Sequence, residues 1–168
     1  LGDVYKRQIY IPLFEELSDF SEKIKFVYFE SNTSMLNETN QNYSRFDFEI
    51  EYVKTDYNHL SAEFAGIADA VVAVNGLHLF TEISSGLGWI KLLIKPEGRL
   101  YATEPEKLTA FGLISAGVIE HGFTVYERGR TNGSMLPPES WIQKFRDINL
   151  DIISVRQFRN CLLYTSDA

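Results

Sequence analysis

Two rhythms of apolar and polar residues alternate along this chain. The stretch "IPLFEELSDF" (11–20) places Leu13, Phe14 and Leu17 at helical spacing, with Pro12 in a first turn. "IKFVYFE" (24–30) is β-branched and aromatic and predicts a strand that ends at an acid. "SMLNETNQNYSRF" (34–46) predicts a helix, and "FEIEYVKTD" (48–56) a second strand, again closed by an acid. "ADAVVAV" (68–74) is a continuous apolar run, the pattern of a strand buried on both faces. "EISSGLGWIKLLI" (82–94) sets Leu87, Ile90, Leu93 and Ile94 on one side of a helix. "KPEG" then predicts a turn into a fourth strand, "RLYATE" (99–104). A helix follows to about His121, where Gly122 can cap it. "LPPESWIQKF" starts another helix with Pro138 early in it, and "LDIISVRQF" (150–158) predicts a last strand. Strands alternating with helices predict an α/β fold built on a mostly parallel, doubly wound sheet.

Candidate chemistry gathers at the ends of these strands. Glu30, Asp56 and Asn75 close three strands in succession. One polar residue after a buried strand is an ordinary helix cap. Three around one crevice fit the ligand site that open α/β sheets carry at the carboxyl ends of their strands. An acid after the first of these strands suits a ribose diol, and one after the next can accept from an adenine amino group. The order fits a nucleotide-type ligand, NAD or S-adenosylmethionine. His78 follows the third strand and Glu104 ends the fourth, one strand–helix–strand unit later. Adjacent parallel strands joined in this way bring their carboxyl ends side by side, so the two side chains can meet.

Composition narrows the setting. A net charge of −7 without a basic cluster is a poor match to nucleic acid. No apolar run approaches the roughly 20 residues of a membrane helix. The ends, "LGDVYKRQ" (1–8) and "CLLYTSDA" (161–168), look like translated sequencing-adapter read-through from a metagenomic assembly. The expectation is therefore a native portion over residues 9–160, cut at both ends by the read. The only cysteine, Cys161, lies in the suspect tail, so the native portion has no thiol, which fits a reducing, cytoplasmic compartment. The three histidines lack metal-ligand spacing.

"LLIKPEG" followed by a strand ending in "TEP" resembles the "LLkPgG" segment of class I S-adenosylmethionine-dependent methyltransferases. More narrowly, the chain resembles the methyltransferase domains embedded in nonribosomal peptide and polyketide synthetases. The matching pieces are "FVYFESNTSML", "ADAVVAVNGLHLF", "LLIKPEGRLYATEPEKLTAFGLISAGVIEHGF" and "MLPPESW", in the family's order. "NGLH" matches the family's "NxLH", the more specific of these signals. The resemblance implies a Rossmann-like fold and roles residue by residue. Glu30 falls where the family holds the ribose hydroxyls, and Asp56 where it contacts adenine, with Tyr57 beside the ring. Asn75 and Gly76 fall on the wall beside the methionine part of the cofactor. His78 and Glu104 match a catalytic histidine–glutamate dyad, with His78 the general base and Glu104 its orienting partner. On that reading Glu104→Gln costs less activity than His78→Ala. The implied partners are a phosphopantetheine-tethered substrate on a carrier protein and the neighbouring synthetase domains.

The family's glycine-rich cofactor loop and first strand have no counterpart here: no glycine occurs between Gly2 and Gly66. The family's last, antiparallel strand is not visible either. Both losses are expected from truncation, and the fragment alone is expected to be inactive. His59 reads as a solvated loop residue and His121 as a helix-end cation. Arg128 and Arg130 read as a solvated loop, or as partners of a phosphopantetheine phosphate. Trp89 reads as core; Trp141 matches a family tryptophan or is only packing. The competing readings are a methyltransferase-like domain that performs only proton abstraction, such as epimerisation, and a non-catalytic scaffold. An NAD-dependent dehydrogenase is disfavoured by "NGLH" and "KPEG".

Overall fold

The computed structural model describes residues 2–55, 61–106 and 135–156. Within them, helix α1 (Gly2–Leu17) leads through a 3₁₀ turn (Ser18–Lys23) into strand β1 (Lys25–Glu30). Helix α2 (Thr33–Tyr43) then connects to β2 (Glu49–Lys54). Strand β3 (Ala68–Val74), helix α3 (Ile83–Leu93) and strand β4 (Ile94–Thr103) form a second strand–helix–strand unit, and helix α4 (Pro138–Asp147) follows. The strands pair in parallel, β1 with β2 from Lys25↔Glu49 to Glu30↔Lys54, and β3 with β4. Parallel pairing through a crossover helix is what alternating strand and helix signals require. Among the described residues the two pairs form separate two-stranded sheets rather than one continuous sheet.

Each unit has its own apolar centre. Phe14 of α1 packs its ring within 5.4 Å, centre to centre, of Phe26, Tyr43, Phe46 and Phe48. In the second unit α3 buries Ile83, Leu87, Ile90 and Leu93, the stripe expected of an amphipathic helix. Ile83, Leu87 and Ile90 cluster with Leu77, Phe80 and Trp141, and Val71, Ala73, Leu100 and Trp89 pack against them. Trp141 of α4 stacks on Phe145, so packing accounts for its place. An aromatic contact joins the units: Phe29 of β1 meets Trp89 of α3 edge-on at 5.3 Å; within the first unit Tyr10 meets Tyr28 at 6.4 Å. Tyr10 also hydrogen-bonds the Val74 backbone; burial, with Tyr28 nearby, outweighs that bond and pushes its hydroxyl up to about 12.

Four expectations need correction. Helix α1 begins at Gly2, so Pro12 lies in its interior, where the ring nitrogen cannot donate to the preceding turn. "KPEG" is no turn between elements but a kink inside β4. Five residue steps from Ile94 to Arg99 run beside two from Ala68 to Ala70. The turn chemistry is real but is absorbed within the strand: Glu97 has φ 67, and a Cβ on Gly98 would lie 2.7 Å from Ile94 Cγ2 and 3.0 Å from the Ala68 oxygen. An Asp69–Lys95 ion pair closes over the kink at 2.7 Å. Strand β3 is not buried on both faces. Val71 and Ala73 face the α3 cluster, whereas Val72 is 40% exposed and its register partner Tyr101 53% exposed. Finally, residues 151–156, predicted as a last strand, form no regular structure, and Ile153 is 78% exposed. A β-branched run is a strand only where a neighbouring edge accepts its ladder, and no edge among the described residues does so. Residues 157–158, the helix predicted from residue 107 onward, His59, His121, Arg128 and Arg130 lie outside the described residues. No helix among the described residues is long and apolar enough to cross a membrane.

Candidate active site

The site is built by the turn that follows β3. The Asn75 amide still donates to the Thr103 carbonyl at 2.8 Å, continuing the ladder one step past the strand. Its φ of 48 then swings the chain away from the sheet, a left-handed conformation that asparagine tolerates better than most residues. Gly76 enters a single 3₁₀ turn, Leu77–Leu79, before α3 begins. Leu77 and Phe80 anchor this turn in the α3 cluster, which leaves His78 buried between them.

Glu104 comes from the end of the neighbouring strand β4. Its Oε1 accepts the Gly76 N–H at 2.8 Å and the Leu77 N–H at 2.7 Å. Its Oε2 lies 2.5 Å from His78 Nδ1, across a sequence separation of 26 residues. Both side chains are almost wholly shielded, at 7% and 6% exposure. Glu104 thus meets two backbone amide hydrogens on one oxygen and the imidazole Nδ1 on the other, and hydrogen bonds to a charged group are stronger than neutral ones. The structure therefore brings together Gly76, His78 and Glu104, with Asn75 adjoining. The sequence reading assigned Gly76, by the family resemblance, to the wall beside the methionine part of the cofactor. The use of its amide, and of Leu77's, as donors to Glu104 leaves no signal in the sequence, because any residue but proline carries that N–H.

Glu30 stands apart, at the end of β1 in the other sheet. Its Oε1 accepts the Asn32 N–H at 3.0 Å and the Ser31 hydroxyl at 3.4 Å. Asn32 in turn caps α2, accepting from the Ser34 and Met35 amides. Both Glu30 bonds fall on Oε1 of a mostly buried carboxylate. Strand β2 ends at Lys54, and the candidate binding residues Asp56 and Tyr57 lie outside the described residues. A surface hollow of about 410 Å³ lined by Lys23, Lys25, Asp47 and Glu49 lies at the amino ends of β1 and β2. It is at the opposite end of those strands from Glu30, and parallel α/β sheets place their ligands at the carboxyl ends.

Gly86, on the first turns of α3, sets the position of the His78 turn. A Cβ there would lie 2.2–2.5 Å from three ring carbons of the buried Phe80. Gly86→Ala is expected to destabilise the protein by about 1–3 kcal/mol through overpacking, outweighing the better helix propensity of alanine. Thermal denaturation checks this; an unchanged melting temperature would show that Phe80 moves aside freely.

Architecture and comparison agree on the class: the fold is the Rossmann-like fold of class I methyltransferases. The chain superposes on DszA carbon methyltransferase with a TM-score of 0.74 and 20% identity, covering 83% of this chain and 37% of that one. It superposes on the trans-methyltransferase CalH, solved in complex with SAH, with a TM-score of 0.66 and 21% identity, over 74% and 35% of the two chains. The [4+2]-cyclase SpnF shares the fold at a TM-score of 0.58 and 17% identity, over 81% of this chain and 46% of that one. In sequence, the highly reducing polyketide synthase AFT9-1 of Alternaria alternata is 29% identical over 87 residues. The highly reducing polyketide synthase easB of Emericella nidulans (strain FGSC A4 / ATCC 38163 / CBS 112.46 / NRRL 194 / M139) is 32% identical over 79 residues. These matches cover 52% and 47% of this chain but 3% of each synthase. No family model matches the chain. In fold and sequence, then, the chain resembles the methyltransferase domains of polyketide synthases.

Proposed function

We propose that this chain is part of a polyketide synthase domain that transfers a methyl group from S-adenosylmethionine to carbon. The acceptor is a β-ketoacyl intermediate tethered by phosphopantetheine to a carrier protein. The observation that carries the reading is the buried His78–Glu104 pair at the carboxyl ends of adjacent parallel strands, within a methyltransferase fold. When bound, S-adenosylmethionine would supply an electrophilic methyl group, the S–CH₃ bond breaking with its electron pair left on sulfur, so that the neutral thioether is the leaving group. Glu30 would hold its ribose, Asp56 and Tyr57 its adenine, and the Asn75–Gly76 turn would line its methionine part. His78 takes the α-proton of the acyl thioester, the carbon's electron pair receives the methyl group, and Glu104 orients the imidazole. The polyketide relatives favour that setting over a nonribosomal peptide synthetase. Neighbouring synthase domains, in keeping with the polyketide relatives, and a cytoplasmic setting complete the reading. Residues 9–160 are the portion we assign to the domain, with the two tails foreign to it.

A second reading has a specific observation behind it. SpnF shares the fold and is a cyclase, so the fold alone does not dictate methyl transfer. A domain that only abstracts the α-proton would use the same His78, and a scaffold would use neither residue. The deciding experiment incubates the complete domain, upstream sequence restored, with S-adenosylmethionine and a β-ketoacyl pantetheine thioester in deuterated water. A methylated thioester is the expected product. Deuterium at the α-carbon without methylation would establish the proton-abstraction reading, and an unchanged thioester the scaffold. The 168-residue chain alone is expected to give no product: β1 and β3 each pair along one edge among the described residues, and apolar surface left uncovered costs stability.

A further inference from the structure

Two strand ends carry the cofactor residues proposed above, and no backbone ladder among the described residues joins them. Glu30 closes β1 and Asn75 follows β3, and these strands belong to separate sheets. A ligand held by both ends needs their spacing fixed. Tyr10 of α1 reaches both. Its ring meets Tyr28 edge-on, with centroids 6.4 Å apart and planes at 87°. Tyr28 lies two residues before Glu30 and so on the same face of β1. The Tyr10 hydroxyl bonds the backbone of Val74, the residue before Asn75. We propose that Tyr10 is a positioning residue: it ties the carboxyl end of β1 to that of β3 and so sets the width of the crevice between Glu30 and the Asn75–Gly76 turn.

The direction of the bond follows from the ladder. The Asn75 amide donates to Thr103 at the end of β4. Successive amides of a strand point to opposite edges, so the Val74 N–H points to the edge of β3 away from β4. Among the described residues no strand pairs along that edge. The bond from Val74 lowers the phenol's pKa against the larger rise from burial, as donation to its oxygen does. The Val74 N–H therefore donates and Tyr10 Oη accepts. A shielded amide without an acceptor is costly, so the hydroxyl meets a need of β3 as it makes the tie. The other end of the tie is firmly seated. Tyr28 also meets Tyr43 of α2 at 6.3 Å and Tyr52 of β2 at 6.2 Å, and Tyr43 is 1% exposed.

The tie bears on the cofactor rather than on the proposed base. From Gly76 onward the turn is clamped from the other side, where Glu104 of β4 accepts the Gly76 and Leu77 amides. His78 therefore keeps its place when Tyr10 is changed. The crevice does not, because its two walls lose the bond between them. That consequence for the cofactor rests on the function proposed above; the tie does not, and is read separately.

The test compares Tyr10→Phe and Tyr52→Phe with the wild type in the complete domain. Tyr10→Phe keeps the ring against Tyr28 and removes the acceptor. Tyr52→Phe removes a hydroxyl from the other side of the same aromatic group and serves as the control. Hydrogen exchange reads the tie: the Val74 amide should exchange about 3- to 10-fold faster in Tyr10→Phe, the reach of one hydrogen bond, and unchanged in Tyr52→Phe. Calorimetry with S-adenosylmethionine reads the crevice. Tyr10→Phe should bind about 3- to 10-fold more weakly, with turnover at saturating cofactor unchanged, and Tyr52→Phe should bind as the wild type does. Unchanged Val74 exchange in Tyr10→Phe overturns the proposal, and so does faster exchange with unchanged affinity. A wild type that binds no S-adenosylmethionine defeats the function proposed above. In that case, or if Tyr10→Phe does not fold, nuclear Overhauser contacts in the wild type decide the tie. The Tyr10 ring should show them to both Tyr28 and the Val74 amide, and the lack of either overturns it.

Discussion

His78→Ala is expected to slow methyl transfer by the complete domain at least about 10²-fold, and up to about 10⁴-fold, while S-adenosylmethionine affinity stays nearly unchanged. The split between turnover and affinity is the informative part. The imidazole is buried in the turn after β3 with Nδ1 against Glu104 Oε2, and the base role proposed for it predicts a loss in turnover alone. The turn itself should survive the substitution. Glu104 still receives the Gly76 and Leu77 amides, and Leu77 and Phe80 remain seated in the α3 cluster. His78→Asn provides the structural control: its side-chain NH₂ can donate to Glu104 Oε2 as Nδ1–H does, but it has no second nitrogen to act as a base. Both variants should therefore be folded, bind cofactor and turn over slowly. Near-normal turnover in His78→Ala would remove the dyad from the chemistry. Loss of cofactor binding instead would place His78 on the binding wall with Asn75.

The second large effect is on stability. Leu87→Ala is expected to cost about 2–5 kcal/mol, a large share of the roughly 5–15 kcal/mol that holds a domain together. Leu87 is wholly shielded, at 0% exposure, in the middle of the α3 stripe. It belongs to the cluster with Leu77, Phe80, Ile83, Ile90 and Trp141, which come from the His78 turn, α3 and α4. Three elements converge on it, so the walls of the resulting cavity cannot collapse by moving one side chain. Urea unfolding of the complete domain measures the loss as a lower midpoint at unchanged slope. A change below about 1 kcal/mol would mean that the cluster is not packed as described. Because the same cluster seats the turn, activity should fall with stability near the unfolding temperature and recover on cooling.

Much of the fold was legible in local pattern, since helices and strands announce themselves over a few residues. The apolar stripe of α3, the aromatic run of β1, the Pro138 start of α4 and the glutamate closing β1 were all readable there. The spacing of His78 and Glu104 was legible for a related reason: one strand–helix–strand unit separates neighbouring parallel strands, whatever the rest of the chain does. What tertiary structure alone decided was pairing. "KPEG" has turn chemistry, yet β3 continues beside it and makes it a kink within β4. Residues 151–156 have strand composition, but a strand exists only where an edge accepts it, and edges are set by distant residues. The amides of Gly76 and Leu77 carry no side-chain signature at all. Their role as clamps on Glu104 arises because the left-handed step at Asn75 turns two N–H groups toward the end of the adjacent strand. Side-chain pattern is local and is written in the sequence, whereas backbone hydrogen-bond direction depends on register and on which strands lie side by side.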